Sequence, residues 1–365
     1  MAEAQVQVQC PVQEVPVPDL EAFAPLLERL QTGQPVLADE VFARGTLRAD
    51  GRLDLCKQAA GVQGCQAVTE ALKGTNVVQS LLLGTNGIGD EGAAHVAELL
   101  EARPLRTVYL GCNLIGASGT AALADAVQKQ PEVRALWLKR NPIGPEGART
   151  LAGLLRTTST LRTLDVVHTG IGDEGARLIL QALTGGNESL EYLYLSGNAL
   201  TPALLPDLTE VLARHPSLKG LYLSVNAWGD AGALGLAQAL TGNTTLDVLG
   251  LASGGIGDEG LAALLDAAAV HPHLQALDLG DAPSARALGA SPNVTGPLTQ
   301  QAVRRVLTEP GALRALHLPR LTNAASLLEQ APPRLTVRIT GQAGTAGQEP
   351  WPVHPDAADI RSVYR

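Results

Sequence analysis

Apolar residues return along this chain at a nearly constant interval. The anchors Val78, Leu105, Val133, Leu161, Leu190, Leu218, Leu246 and Leu274 lie 27, 28, 28, 29, 28, 28 and 28 residues apart. Each anchor is followed by apolar residues at offsets +3 and +5, as in Leu190, Leu193 and Leu195. Alternation over so short a stretch predicts a strand with one buried face. At offset +8 come Asn86, Asn113, Asn141, Asn198 and Asn226, whose amides can bond backbone groups that a turn leaves unpaired. At offset +10 an apolar side chain points back inward: Ile88, Ile115, Ile143, Ile171, Leu200, Trp228 and Ile256. A helix start follows, clearest in IGDEGA beginning at Ile88, Ile171 and Ile256. Asp90, Asp173 and Asp258 read as its N-caps, with the next Glu at the positive helix end. The apolar spacing then turns helical, as in Ala94, Ala97, Leu99 and Leu100, and Pro104, Pro131, Pro216 or Pro272 stops the helix before the next anchor.

One strand and one helix in fixed order, repeated at one period, specify a solenoid. Helices are wider (about 10 Å) than the strand spacing (about 4.8 Å), so such a stack curves with its strands on the concave side. The repeated LxxLxLxxN-x-IGDEGA resembles the leucine-rich-repeat family, in its ribonuclease-inhibitor-like subclass with units of about 28 residues. The resemblance covers roughly residues 50–340. It implies an α/β fold: a right-handed, curved horseshoe with a parallel sheet on the concave face and helices on the convex face. It also implies binding of a protein or peptide partner on the concave face. The family includes GTPase-activating members that act on Ran and innate-immune receptors. A GTPase-activating role is therefore an alternative, although the acidic C-terminal tail of the Ran-directed members is missing from this sequence.

The pattern sets boundaries. Residues 1–18 read as a flexible N-terminal segment, with no basic start and no apolar run that would mark an export signal. Residues 19–49 read as a helical cap: Asp19, then Leu20, Phe23, Leu26, Leu27 and Leu30, with Gly33 as the stop. A degenerate first unit at 50–77 opens a solenoid of about ten units that runs to residue 340. The step from Leu274 to Leu313 is longer than the rest, which places an inserted surface loop near 281–298. Residues 341–365 form a C-terminal tail whose composition fits a docking end, with Trp351 or Tyr364 as groups that can lie in the groove.

Composition narrows the function. A formal charge of −9 argues against nucleic acid or an anionic membrane as partner, and no apolar run approaches a bilayer-spanning length. Four cysteines without a CxxC pair fit a reducing cytoplasm, and the residue usage, rich in Gly and Pro, fits a bacterial source. Three G-x-G-x-x-G matches (Gly87–Gly92, Gly170–Gly175, Gly255–Gly260) recur at the repeat period. Asp-Glu stands where a pyrophosphate would approach, so they read as turn chemistry and no cofactor is expected. Cys112 and His168 share offset +7 two units apart, about 10 Å, too far for proton transfer. His271-Pro-His273 lacks nearby ligands for a metal. No serine triad assembles from the pattern, so no catalytic residue is assigned.

The informative chemistry is aromatic. Of only ten aromatic residues, Tyr109, Trp137, Tyr194 and Tyr222 fall at offset +4, on the outward strand face, and Tyr192 at +2 lies on the same face. Exposed aromatics grouped on one face favour an interface; the alternative is that they are good strand residues stacking across the ladder. Between the aromatic pairs lie Lys139, Arg140, Asp165 and His168, which can receive an acidic group of a partner or form an ordinary solvated patch.

Overall fold

The computed structural model describes residues 14–322, 324–341 and 355–360. The chain divides into two compact units, Met1–Leu190 with Val353–Arg365, and Glu191–Pro352. In the first unit the elements are α1 (Ala24–Gln31), β1 (Glu40–Val41), β2 (Thr46–Leu47), β3 (Arg52–Asp54), α2 (Gly61–Lys73), β4 (Ser80–Leu82), α3 (Gly89–Ala102), β5 (Thr107–Tyr109), α4 (Ala117–Lys129), β6 (Ala135–Trp137), α5 (Gly144–Thr157), β7 (Thr163–Asp165) and α6 (Gly172–Thr184). The second holds β8 (Tyr192–Tyr194), α7 (Leu205–Arg214), β9 (Gly220–Tyr222), α8 (Gly229–Leu240), β10 (Val248–Gly250), α9 (Asp258–Val270), β11 (Ala276–Asp278), α10 (Pro297–Thr308), β12 (Ala315–Leu318), α11 (Ala324–Leu328) and β13 (Thr336–Ile339). A last helix, α12 (Pro355–Ile360), belongs to the first unit.

Strands pair in chain order and in the register that the sequence offsets set. Leu53, Leu81, Val108, Leu136 and Leu164 stand opposite one another from β3 to β7, all parallel. Leu193, Leu221, Leu249, Leu277, Leu316 and Val337 do so from β8 to β13. These residues turn into the core, where the strands meet the apolar stripes of the helices, such as Ala93, Val96, Ala97, Leu99 and Leu100 of α3. The architecture is thus an α/β solenoid of alternating strands and helices.

The start of the chain holds the expected helix and adds two short strands to it. Phe23, Leu26 and Leu30 do bury the apolar face of α1 and the 3-10 turn before it. A hairpin follows, β1 pairing antiparallel with β2 and β2 with β3, with Gly45 in a left-handed turn. Two-residue strands escape detection by alternation, yet they cover the open edge of β3, where unpaired backbone groups would otherwise face outward.

Two sets of side chains stitch neighbouring repeats together. The asparagines form a buried ladder. The Asn113 carbonyl accepts from the Asn86 N–H at 2.8 Å, and its amide donates to Leu83 and Leu110 at 2.9 and 3.0 Å. Asn141 accepts from Asn113 and Ile115 at 2.8 and 3.1 Å and donates to Leu110 and Leu138, both at 2.9 Å. In the second unit Asn226 serves Asn198 and Leu200 likewise. The inserted segment itself holds a late ladder residue, Asn293, which accepts from Gly254 and Ile256 at 2.9 and 3.0 Å.

The aspartates are not the caps of their own helices. Ile88 and Ile171 precede α3 and α6, and Asp258 already lies inside α9. Their carboxylates reach sideways: Asp90 accepts from Gly116 N–H at 2.6 Å, at the start of α4. Asp230 accepts from Gly257 and Gly260 at 2.8 and 2.9 Å, and Asp258 from Leu298 and Thr299 at 3.0 and 2.7 Å. Desolvation pushes the Asp258 carboxyl upward, but hydrogen bonds from Thr299, Leu298 and Gly296 outweigh it and hold the group below its ordinary pKa. Each such carboxylate therefore satisfies orphan donors of the next helix.

Candidate functional site

Offset +7, just past each strand, adopts a left-handed backbone even where the residue is not glycine. Lys57, Thr85, Cys112, Arg140 and His168 in the first unit have φ between 53° and 62°, and Val225 and Ser253 in the second have 59° and 51°. The N–H groups of Lys57, Thr85, Cys112, Arg140, Val225 and Ser253 each reach a carbonyl of the next repeat, as Cys112 to Lys139 at 2.9 Å and Arg140 to Val167 at 2.8 Å. Because the conformation recurs at Lys57 and Thr85, it is a property of the repeat turn and not a strained catalytic position at Arg140 or His168.

In the first unit six of the expected residues gather at one strand face and its turns: Tyr109, Trp137, Lys139, Arg140, Asp165 and His168. They are not exposed, however. Trp137 is 1% and Asp165 0% accessible, Tyr109, Lys139 and His168 are also buried, and Arg140 is half-buried. Every residue of β4, β5, β6 and β7 is buried on both faces. One cause is that side chains lie flat across neighbouring strands. A Cβ on Gly84 would come within 2.4 Å of the Tyr109 ring, so glycine there leaves the space in which the ring rests. A Cβ on Gly111 would meet Lys139 Cγ at 3.0 Å and the Tyr109 hydroxyl at 3.1 Å, so these two groups converge above that backbone. The other cause is α12. It packs against β5, Thr163 Oγ1 on β7 donates to the Asp356 carboxylate at 2.9 Å, and Ile360 is 1% accessible. Trp351 and Tyr364, the tail groups expected in the groove, lie outside the described residues.

The charged centre is largely self-contained. Desolvation lowers the Lys139 pKa, Asp165 opposes that shift, and Arg140 adds to it. One oxygen of Asp165 accepts from the Val167 N–H at 2.8 Å. Burial drives the Tyr109 hydroxyl far above its ordinary pKa, with Cys56 and Asp165 adding to the rise. Burial also raises the Cys56 thiol, and pushes Cys65 up to about 12, so neither supplies a thiolate nucleophile at neutral pH. Cys10 lies outside the described residues.

In the second unit the outward face carries Tyr192, Tyr194 and Tyr222. The rings of Tyr194 and Tyr222 stack with centroids 4.0 Å apart and planes at 3°. Tyr192 lies over Gly220, where a Cβ would be 2.5 Å from its ring. Tyr194 is 8% accessible, and Tyr192 and Tyr222 are half-buried. Desolvation pushes the Tyr222 hydroxyl up to about 12, eased by a hydrogen bond with Tyr194. The pair is thus an amphipathic platform in which Tyr222 stays neutral at physiological pH.

Farther along this face stands a hydrogen-bonded line that linear spacing did not reveal. Asp278 Oδ1 meets His317 Nδ1 at 2.9 Å, and His317 Nε2 meets Thr340 Oγ1 at 3.3 Å. Thr340 Oγ1 also accepts from the Asp281 N–H at 3.1 Å, so the line ties the inserted loop to the end of β13. Asp278 and His317 share offset +4, which the sequence shows, whereas Thr340 is near only through the pairing of β12 with β13. Thr163, Asp356 and Ile360 were likewise missed, because nothing in the period links residues about 190 positions apart. Among the described residues no three His, Cys, Asp or Glu side chains are grouped to hold a metal, and no helix is long and apolar enough to cross a membrane.

The family model described as "Leucine Rich repeat" matches residues 158–180 and 242–265, the strand-and-helix cores around β7–α6 and β10–α9. The chain is a leucine-rich-repeat protein. Among solved structures, the leucine-rich-repeat chain is similar in fold to a chain of the yeast Rad7–Elc1 complex, with a TM-score of 0.54 and 17% identity over 81% of this chain and 71% of that one. It also matches the leiomodin-1 actin-binding site 2 structure, at 20% identity and a TM-score of 0.38 over 45% of this chain and 88% of that one. The Caenorhabditis elegans tropomodulin C-terminal domain matches at 14% identity and a TM-score of 0.36, over 46% and 92%. No curated protein matches the chain.

Proposed function

We propose that this leucine-rich-repeat protein is a non-catalytic scaffold that binds a protein or peptide on the strand face of its repeats. One observation carries the reading: in the first unit that face already holds a peptide segment, the chain's own α12, through packing on β5 and the Thr163–Asp356 hydrogen bond. In the second unit the tyrosine platform supplies large, amphipathic side chains of the kind that anchor interfaces. Tyr109, Trp137, Lys139, Arg140, Asp165 and His168 form the floor and rim of the first face, and Tyr192, Tyr194 and Tyr222 form the second.

Site-specific photo-crosslinking tests this. A benzoylphenylalanine in place of half-buried Tyr222 should capture a partner from a native lysate, whereas the same group in place of Leu234, 45% accessible on α8, should not. Capture only from the helix position would overturn the assignment. A small GTPase among the products, with accelerated GTP hydrolysis on mixing, would turn the reading toward a GTPase activator.

A further inference from the structure

The helix α12 is too short to stand alone. Six residues form a single turn and a half, and isolated helices of that length do not persist in water. Its helical form therefore depends on the surface that receives it. Asp356 and Ile360 are four residues apart, so they lie on one side of the helix. Asp356 bonds Thr163, and Ile360 is buried. Next to Asp356 stands Ala357, a half-buried small residue that leaves room for close approach to the strands, while Ala358 is exposed. The receiving face is complementary: a hydroxyl donor at Thr163, apolar neighbours at Tyr109 and Trp137, and Lys139 and Arg140 at the strand ends.

From this we infer that the first unit's strand face is a docking site for a short helical segment carrying a carboxylate and an aliphatic side chain four residues later. Residues 356–360 are its resident copy, and a partner must present the same chemistry to displace them. The inference rests on the binding reading above and names the ligand class for one of its two faces.

The probe is a fluorescein-labelled synthetic peptide of residues 352–365, titrated into the full chain and followed by fluorescence polarisation. Wild-type protein, with its site filled, should bind it weakly. The full-length double variant Asp356→Ala/Ile360→Asp, whose tail is released, should bind it at least ten-fold more tightly. Adding Thr163→Val to that variant should weaken binding about ten-fold, and Thr163→Ser, which keeps the donor, should restore it. Thermal melts of each variant confirm that the fold is retained.

Equal binding by wild-type and tail-released protein, or indifference to Thr163→Val, would overturn the proposal. A wild-type dimer in light scattering that Ile360→Asp dissociates would also overturn it, by placing the tail on a second copy. Failure here with Tyr222 crosslinking intact removes only this ligand class, whereas loss of both removes the binding reading itself.

Discussion

Replacing Asn141 by alanine tests the asparagine ladder most directly. The side chain is fully buried and makes four hydrogen bonds, two accepted and two donated. Without it the N–H groups of Asn113 and Ile115 lose their acceptor, and the carbonyl of Leu138 loses its donor. The Leu110 carbonyl keeps the Asn113 amide and contributes little. An orphaned buried polar group costs about 1–3 kcal/mol. Two donors and one acceptor therefore sum to roughly 3–9 kcal/mol, reduced toward the lower end where water enters the space left. Urea unfolding followed by circular dichroism should register a loss of about 3–5 kcal/mol. Hydrogen exchange should localise it, because repeats couple mainly to their neighbours: amides from Leu110 to Ile115 lose protection while those of β11 and β12 keep theirs. A loss below about 1 kcal/mol, or uniform deprotection of the chain, would refute the ladder as the stabilising element.

Two further predictions follow from other positions. Burial at 3% accessibility lowers the pKa of His215 to about 4, so the folded chain holds it neutral. Above the unfolded value of about 6.5 it costs nothing, but as pH falls toward 4 the unfolded state gains the proton first. Stability should then drop by as much as about 3 kcal/mol between pH 7 and pH 4. His215→Asn should flatten this dependence in urea midpoints, since Asn187 and Asn243 hold the same repeat position and cap the same turn; an unchanged slope would exclude His215 as its source. Gly84→Ala should drive the Tyr109 ring off its backbone seat at a cost of about 1–3 kcal/mol, visible as a shift of the Tyr109 ring resonances, and an unperturbed ring would contradict the close approach.

The fold was legible because its signal is repeated. Leu53 to Leu164, spaced by one period, meet in register, and each asparagine finds the same turn one repeat earlier. What failed was local. Asp90 and Asp258 carry the right residue type for capping but serve the next helix, a lateral partner that intrahelical reasoning does not consider. The hairpin of β1 and β2 is too brief to show alternation. For the candidate site, the period identified which residues share a face, from Tyr109 and Trp137 to Tyr194 and Tyr222, but not whether that face is open. In the first unit its burial comes from the Tyr109 ring on Gly84 and from α12, and in the second from the Tyr192 ring on Gly220. The tail's composition pointed to docking but not to Asp356 and Ile360, and glycine spacing does not announce a ring seat.

The position of α12 has a temporal consequence. Thr163 and its partner Asp356 are 193 residues apart, so the ribosome finishes the receiving strands long before it makes their cover. At a synthesis rate of about 5–20 residues per second, that interval is roughly 10–40 s. During it, a nascent chain displays a vacant surface that the mature molecule keeps occupied. A partner that engages co-translationally would meet no competitor, whereas one arriving later must first evict the resident helix.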